Sequence, residues 1–213
     1  SPTAWKARSD TAEKDVTRQK LSDLLRNRKL IGACSVVSAY FVFIGAFESV
    51  WILDMDHRGA SQWQIGVTVT CVALPIAVLA PWGGSLAQRY GSRRWALAMI
   101  TACSIFNALF GLVPGLWALV FLTVGCGFAE GIGFPSGTML VSSSVPESRQ
   151  AAAQGLASAI EVGTAALAAL GLAVVYTTVG HTVAYLVASG AMLVLLSVGW
   201  KLTIGIGGPE SKM

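Results

Sequence analysis

The chain has 213 residues, of which 54% are hydrophobic and 12% charged, with a formal net charge of +4. A soluble domain spreads its charge over the surface; here the charges gather in a few short stretches, which excludes a soluble fold and points to the membrane class. The cation excess is therefore read by its place in the chain, and it implies no nucleic-acid partner.

Residues 1–29 form a basic leader, expected as a cytoplasmic linker or tail. Its segment KDVTRQKLSDLLRNRK (Lys14–Lys29) sets Leu21, Leu24 and Leu25 on one helical face among cations. That pattern suits either an interfacial helix or a solvated tail feeding the first span. Ser1 at the start suggests a processed, trimmed or partial product, and no signal-peptide pattern is visible. Residues 30–202 are expected as one transmembrane domain of six helices, at about 30–53, 64–86, 95–113, 116–140, 152–176 and 182–202. Residues 203–213 form a C-terminal tail. Each apolar run is continuous rather than alternating, so helices and not a barrel are indicated.

Orientation follows from the 15 lysines and arginines. All but Arg58 fall on one side of this topology, so both tails are expected in the cytoplasm, at a plasma (inner) membrane. Trp51, Trp63 and Trp117 then mark outer span ends, and Trp82, Trp95 and Trp200 inner ones. Cys34, Cys71, Cys103 and Cys126 lie inside spans without a Cys-x-x-Cys pair and read as small packing residues. No metal or cofactor is expected.

The connector after the second span is the densest basic knot, GGSLAQRYGSRRW (Gly83–Trp95). Its arginines cannot enter hydrocarbon and pin the turn at the anionic inner surface. Gly84 and Gly91 are expected to permit close backbone approach and a tight turn. This stretch resembles the loop signature of the major facilitator superfamily, G-x-L-A-D-R-x-G-R-R/K. Gly84, Leu86, Ala87, Arg89, Gly91 and Arg93 fit it, and Arg94 extends the basic run. Gln88 stands where the family has Asp, and Ser92 at the first of the paired basic positions. An amide at Gln88 hydrogen-bonds but does not pair with arginine as a carboxylate does. The stretch GFPSGTMLVSSSVPESRQAAAQGLASAIEVG is similar to the end of the family's helix 10, its cytoplasmic loop and the start of helix 11; SQWQIG adds to the likeness.

The resemblance implies the C-terminal half, helices 7–12, of a twelve-helix bundle with a three-plus-three inverted repeat, most similar to the drug:proton antiporter branch. It implies proton-coupled efflux of small amphiphilic compounds by alternating access. The basic loop would latch against neighbouring helix ends, helices 9 and 12 would face lipid, and the other four would line a cavity. The implied partners are a small-molecule substrate, protons, the lipid bilayer, and an N-terminal six-helix half or a second copy. Two other readings stand beside it: an uptake symporter for a sugar or organic acid, and a six-helix scaffold without transport.

Three acids lie within the apolar runs, and a carboxylate at membrane depth marks an ion or substrate path by default. Glu161 is about 14 Å into its span, on a face with Gln154, Ser158 and Thr164. Glu130 is about 21 Å from the outer end of its span, in the inner half, sharing a face with Thr123 and Gly127. Glu48 lies near an outer end, where it can snorkel to water. Protonation of such a group removes the cost of closing a bundle around it, and so couples proton entry to release of a cationic lipophile.

GAFE (Gly45–Glu48) and GFAE (Gly127–Glu130) fall in spans that an inverted repeat equates. The glycines of GCGFAEGIGFPSG (Gly125–Gly137) include two G-x-x-x-G spacings suited to close helix packing. Pro75 and Pro135 either kink their helices or free carbonyls for substrate. An intramembrane serine protease built on Ser136 and His181 is excluded by depth, since the two lie more than about 20 Å apart by helix rise.

Overall fold

The computed structural model describes residues 22–204, and among these the chain is all-helical, without a strand. The expectations for residues 1–21 and 205–213 lie outside the described residues. Of the leucines expected on one interfacial face, Leu24 is buried and Leu25 exposed, so these two do not share an environment.

Helix α1 is a 30-residue rod, Arg28–His57. Asn27 starts it, its Oδ1 accepting from the backbone N–H groups of Lys29 at 3.0 Å and Leu30 at 3.3 Å. Two otherwise orphaned donors are thereby satisfied. The rod is α-helical over Arg28–Ala46 and Ile52–His57, with a π-helical turn, Phe47–Trp51, between them. Then follow α2 (Gln62–Tyr90), α3 (Ser92–Phe110), α4 (Leu116–Ser143), a 3₁₀ turn (Glu147–Arg149), α5 (Gln150–Val179) and α6 (His181–Leu202). Five of the six are long and apolar enough to cross a membrane. The exception is α3, whose 19 residues include Arg93, Arg94 and Asn107.

The connector expected over Ala87–Arg94 is not a loop. Helix α2 runs to Tyr90 and α3 begins at Ser92, leaving Gly91 alone at φ 98°. Glycine reaches that region without Cβ strain, so a single residue reverses the chain. Pro75 and Pro81 lie inside α2 and Pro135 inside α4, and neither helix ends there.

The helices associate in two groups, with α1 along α5 and α6, and α4 along α2 and α3; contact between α3 and α6 joins them. The glycines explain the closeness. A Cβ on Gly45 would lie 2.5 Å from the Ala165 carbonyl oxygen of α5. A Cβ on Gly127 would lie 2.9 Å from the Val72 carbonyl oxygen of α2, and one on Gly131 3.0 Å from that of Pro75. Thus the matching glycines of GAFE and GFAE make the same kind of contact, each with a long helix of its own group. The second spacing divides: Gly133 faces Met99 of α3 and Gly137 faces Val37 of α1. Gly84 has nothing within 4 Å, which overturns its expected close approach; that role belongs to Gly83, packed against the backbone of Gly131 and Ile132. Pro135 has no N–H to give to the Gly131 carbonyl four residues back, and this carbonyl is one of the atoms Gly83 covers.

Gly45→Ala is expected to destabilise the purified protein by roughly 1–3 kcal/mol through overpacking. Gly163→Ala on α5, with open space around it, is expected to leave the thermal midpoint unchanged or slightly raised. Thermal unfolding in detergent checks both.

Candidate functional site

The residues at the middle of α4 are set by what flanks them. Gly127 and Gly131 bring α2 into backbone contact on one side, and Gly125 and Gly133 meet Phe106 and Met99 of α3 on another. Glu130 stands between these glycines at the centre of the 28-residue helix, 4% exposed. The hydroxyl of Tyr40 on α1 donates to its Oε2 at 2.8 Å. Tyr40 is itself held among rings, with its centroid 5.5 Å from that of Phe41 and 5.6 Å from that of Phe134. Further along the same pair of antiparallel helices, Trp51 Nε1 donates to Thr123 Oγ1 at 3.0 Å. Glu130 is therefore a buried carboxylate aligned by a neighbouring helix.

The other two acids are placed differently. Glu161 is half-buried on α5, the helix least covered by the rest of the bundle, and Glu48 is exposed on the π turn. Neither makes a hydrogen bond or ion pair among the described residues. The polar face expected around Glu161 divides. Gln154 Nε2 donates to Thr138 O at 2.9 Å and Ser142 Oγ at 2.7 Å on α4, Ser158 is exposed, and Thr164 bonds back to its own helix. The structure therefore does not join the three acids into one bonded cluster. It gives one carboxylate a buried partner and leaves two beside open surface.

The loop arginines also separate. Arg93 Nε donates to Thr203 Oγ1 at 3.0 Å and Nη2 to Trp200 O at 3.1 Å, with the guanidinium 4.9 Å from the Trp200 ring centroid. It satisfies a carbonyl at the C-terminus of α6, where a cation is favoured. Arg89 and Arg94 are exposed and unpaired among the described residues, and so is Gln88.

One polar site was not foreseen. Arg58 pairs with Asp54 at 2.9 Å, and its guanidinium also donates to the carbonyls of Phe110, at 3.2 Å, and Val113. Tyr185 of α6 donates to the same Asp54 oxygen at 3.3 Å. Beside it, His57 and the Tyr176 hydroxyl of α5 are 2.6 Å apart. Asp54 and Arg58 sit at i and i+4 on a helix end, a spacing that signals a pair; its burial against the α3–α4 turn has no such signal. Asn107 was also missed: its amide donates to Tyr185 O and Ser189 Oγ, tying α3 to α6. Ser136 Oγ donates to Ile132 O within α4, while His181 opens α6 at the other end of the bundle, so no nucleophile and base meet.

An all-helical chain with membrane-length apolar helices and polar groups bonded between them defines a multi-pass membrane protein. Residues 30–205 match the family model described as Major Facilitator Superfamily. The chain belongs to that superfamily, a family of transporters rather than enzymes. Among curated proteins it is similar to multidrug resistance protein MdtG of Dickeya zeae, 29% identical over 140 residues, covering 64% of this chain and 34% of that protein. It is 27% identical over 152 residues to the probable sulfoacetate transporter SauU of Cupriavidus necator, covering 70% of this chain and 34% of the relative. With the multi-drug resistance efflux pump PmrA of Streptococcus pneumoniae it shares 27% over 115 residues, covering 52% and 29%. The chain spans about a third of the length of these curated relatives.

Removing one partner of the Asp54–Arg58 pair leaves an uncompensated charge in a buried place. Arg58→Ala is expected to destabilise the protein by roughly 3–5 kcal/mol, and Asp54→Asn with Arg58→Gln together by much less than Arg58→Ala. Thermal unfolding of the three purified variants checks the ordering.

Proposed function

We propose that this chain is the C-terminal six-helix half of a secondary transporter that expels small amphiphilic compounds in exchange for protons. The observation that carries the reading is Glu130, held by Tyr40 at the centre of α4. A carboxylate there is costly while charged and tolerated when neutral, so its protonation state biases how tightly α1, α2 and α4 close around it. Glu161, on the open flank of α5, is suited to meet a lipophilic cation from a cavity shared with the other half. Glu48 on the π turn offers a second contact nearer the Arg58 end. The relatives named for drug resistance support export. The likeness to a probable sulfoacetate transporter favours, as the second reading, carriage of a small organic anion.

In this reading α1–α3 and α4–α6 are the two inverted repeats, with α3 crossing the membrane as the sixth span. The exchange of partners between them, α1 with α5 and α6 against α4 with α2 and α3, and the like contacts of Gly45 and Gly127 support it. Both tails lie in the cytoplasm. The Gly91 turn is then a cytoplasmic latch: Arg93 acts within this half, while Arg89 is free to engage the other.

The test uses the intact transporter in energised vesicles with a fluorescent cationic dye. Glu130→Gln and Glu161→Gln are each expected to abolish efflux driven by a pH gradient, while Tyr40→Phe lowers it about fivefold, the loss of one hydrogen bond. Unchanged coupling in both glutamine variants removes these carboxylates from the mechanism. Dye efflux absent but sulfonate counterflow present selects the second reading.

A further inference from the structure

The cations at the junction of α2, α3 and α6 are more than the half-bundle uses. Between Trp82 and Trp95, and again between Leu196 and Ile204, there are four cations, Arg89, Arg93, Arg94 and Lys201, and no aspartate or glutamate. At the same end Arg26, Arg28 and Lys29 are also exposed, whereas Arg149 has acids near it: it lies 3.8 Å from Asp23 and follows Glu147 closely in the chain. Tertiary structure brings these two stretches together. The bonds from Arg93 to Trp200 O and Thr203 Oγ1 bring the start of α3 against the end of α6. Arg94 and Lys201, each next in sequence to a member of that contact, are both exposed.

Arg93 is fixed rather than mobile. Its Nε and Nη2 are committed and its central carbon lies over the Trp200 ring, yet its Nη1 amine makes no bond among the described residues. A guanidinium so held presents donors to an anion with little further loss of freedom. Exposed aromatic residues stand on the helices that meet there: Trp200 is 56% accessible, Tyr90, beside the Gly91 turn, 61%, and Trp82, about two turns before Tyr90, 63%. Such rings settle at the level of lipid headgroups in a membrane protein.

We propose that this corner is a binding site for the headgroup phosphate of an anionic phospholipid. Arg93 is the oriented donor, Arg94 and Lys201 the flanking charges, and Trp200 the surface against which the glycerol region rests. The site has a place to work: a lipid seated there bridges the ends of α3 and α6 beside the one-residue turn at Gly91. Its charge complementarity is independent of any transported substrate and of the direction of transport.

The test is lipid retention by the intact transporter, purified in mild detergent with equal phosphatidylglycerol and phosphatidylcholine and read by native mass spectrometry. The wild type is expected to retain phosphatidylglycerol preferentially. Each exposed cation near a charged lipid surface is worth about a fivefold change in binding, so Arg94→Gln with Lys201→Gln is expected to lower that retention about twentyfold. Arg149→Gln, at a cation that already has Asp23 beside it, serves as control and is expected to change nothing. Equal retention of both lipids by the wild type, or unchanged preference in the double variant, overturns the proposal. Complete displacement of the lipid by millimolar inorganic phosphate also overturns it, assigning the patch to a free anion. Dye efflux by the same variants in energised vesicles separates failure of the lipid site from failure of the transport reading.

Discussion

Helix α4 comes closer to its neighbours than side chains would normally permit, and the environment at the centre of the bundle follows from that contact. Without Cβ atoms at Gly127 and Gly131, the α2 backbone fills the space on one side of Glu130. Methionine and phenylalanine side chains of α3 close another side at Gly133 and Gly125. A carboxylate buried in this way needs a polar partner from the protein. Tyr40 supplies one, and the aromatic residues around Tyr40 hold it in position. Packing and polarity are thus one arrangement: loosening the glycine contact would also rehydrate the acid.

The same rule orders the ends of the bundle. At one end Arg58 collects two backbone carbonyls and Asp54, and Tyr185 completes the carboxylate. At the other, Arg93 takes a carbonyl of α6 and Asn27 Nδ2 donates to Ser144 O at the end of α4. Each contact joins elements distant in sequence, so the six helices are fastened at both ends as well as along their faces. On α1 the π turn at Phe47–Trp51 interrupts the regular ladder just after Gly45, and Trp51 of that turn bonds Thr123 of α4. Such turns often mark functional sites in helices. Here the turn carries Glu48 to the surface, whereas its counterpart Glu130, in a regular helix, is buried.

Much of the architecture was legible in the sequence because its causes are local. Continuous apolar runs required helices, the cation distribution singled out one end, and GGSLAQRYGSRRW carried a recognisable family signature. Glu130 and Glu161 stood out because a carboxylate in an apolar run has few ordinary reasons to be there. What the sequence misjudged depended on space. Gly84 and Gly83 are adjacent and identical in type, and only the position of α4 decides which is the contact residue. The connector expected over eight residues shrank to Gly91 because the arginines continue the helices instead of leaving them.

The amino-acid sequence by itself determined the class of protein and its helices, since hydrophobic length acts along the chain. Tertiary structure alone decided partnership: that Tyr40 meets Glu130, that Arg58 and Asp54 are buried together, and that Arg93 rather than Arg89 or Arg94 secures α6. Hydrogen bonds and close packing depend on the relative rotation and register of helices far apart in sequence, and no periodicity within one helix encodes those.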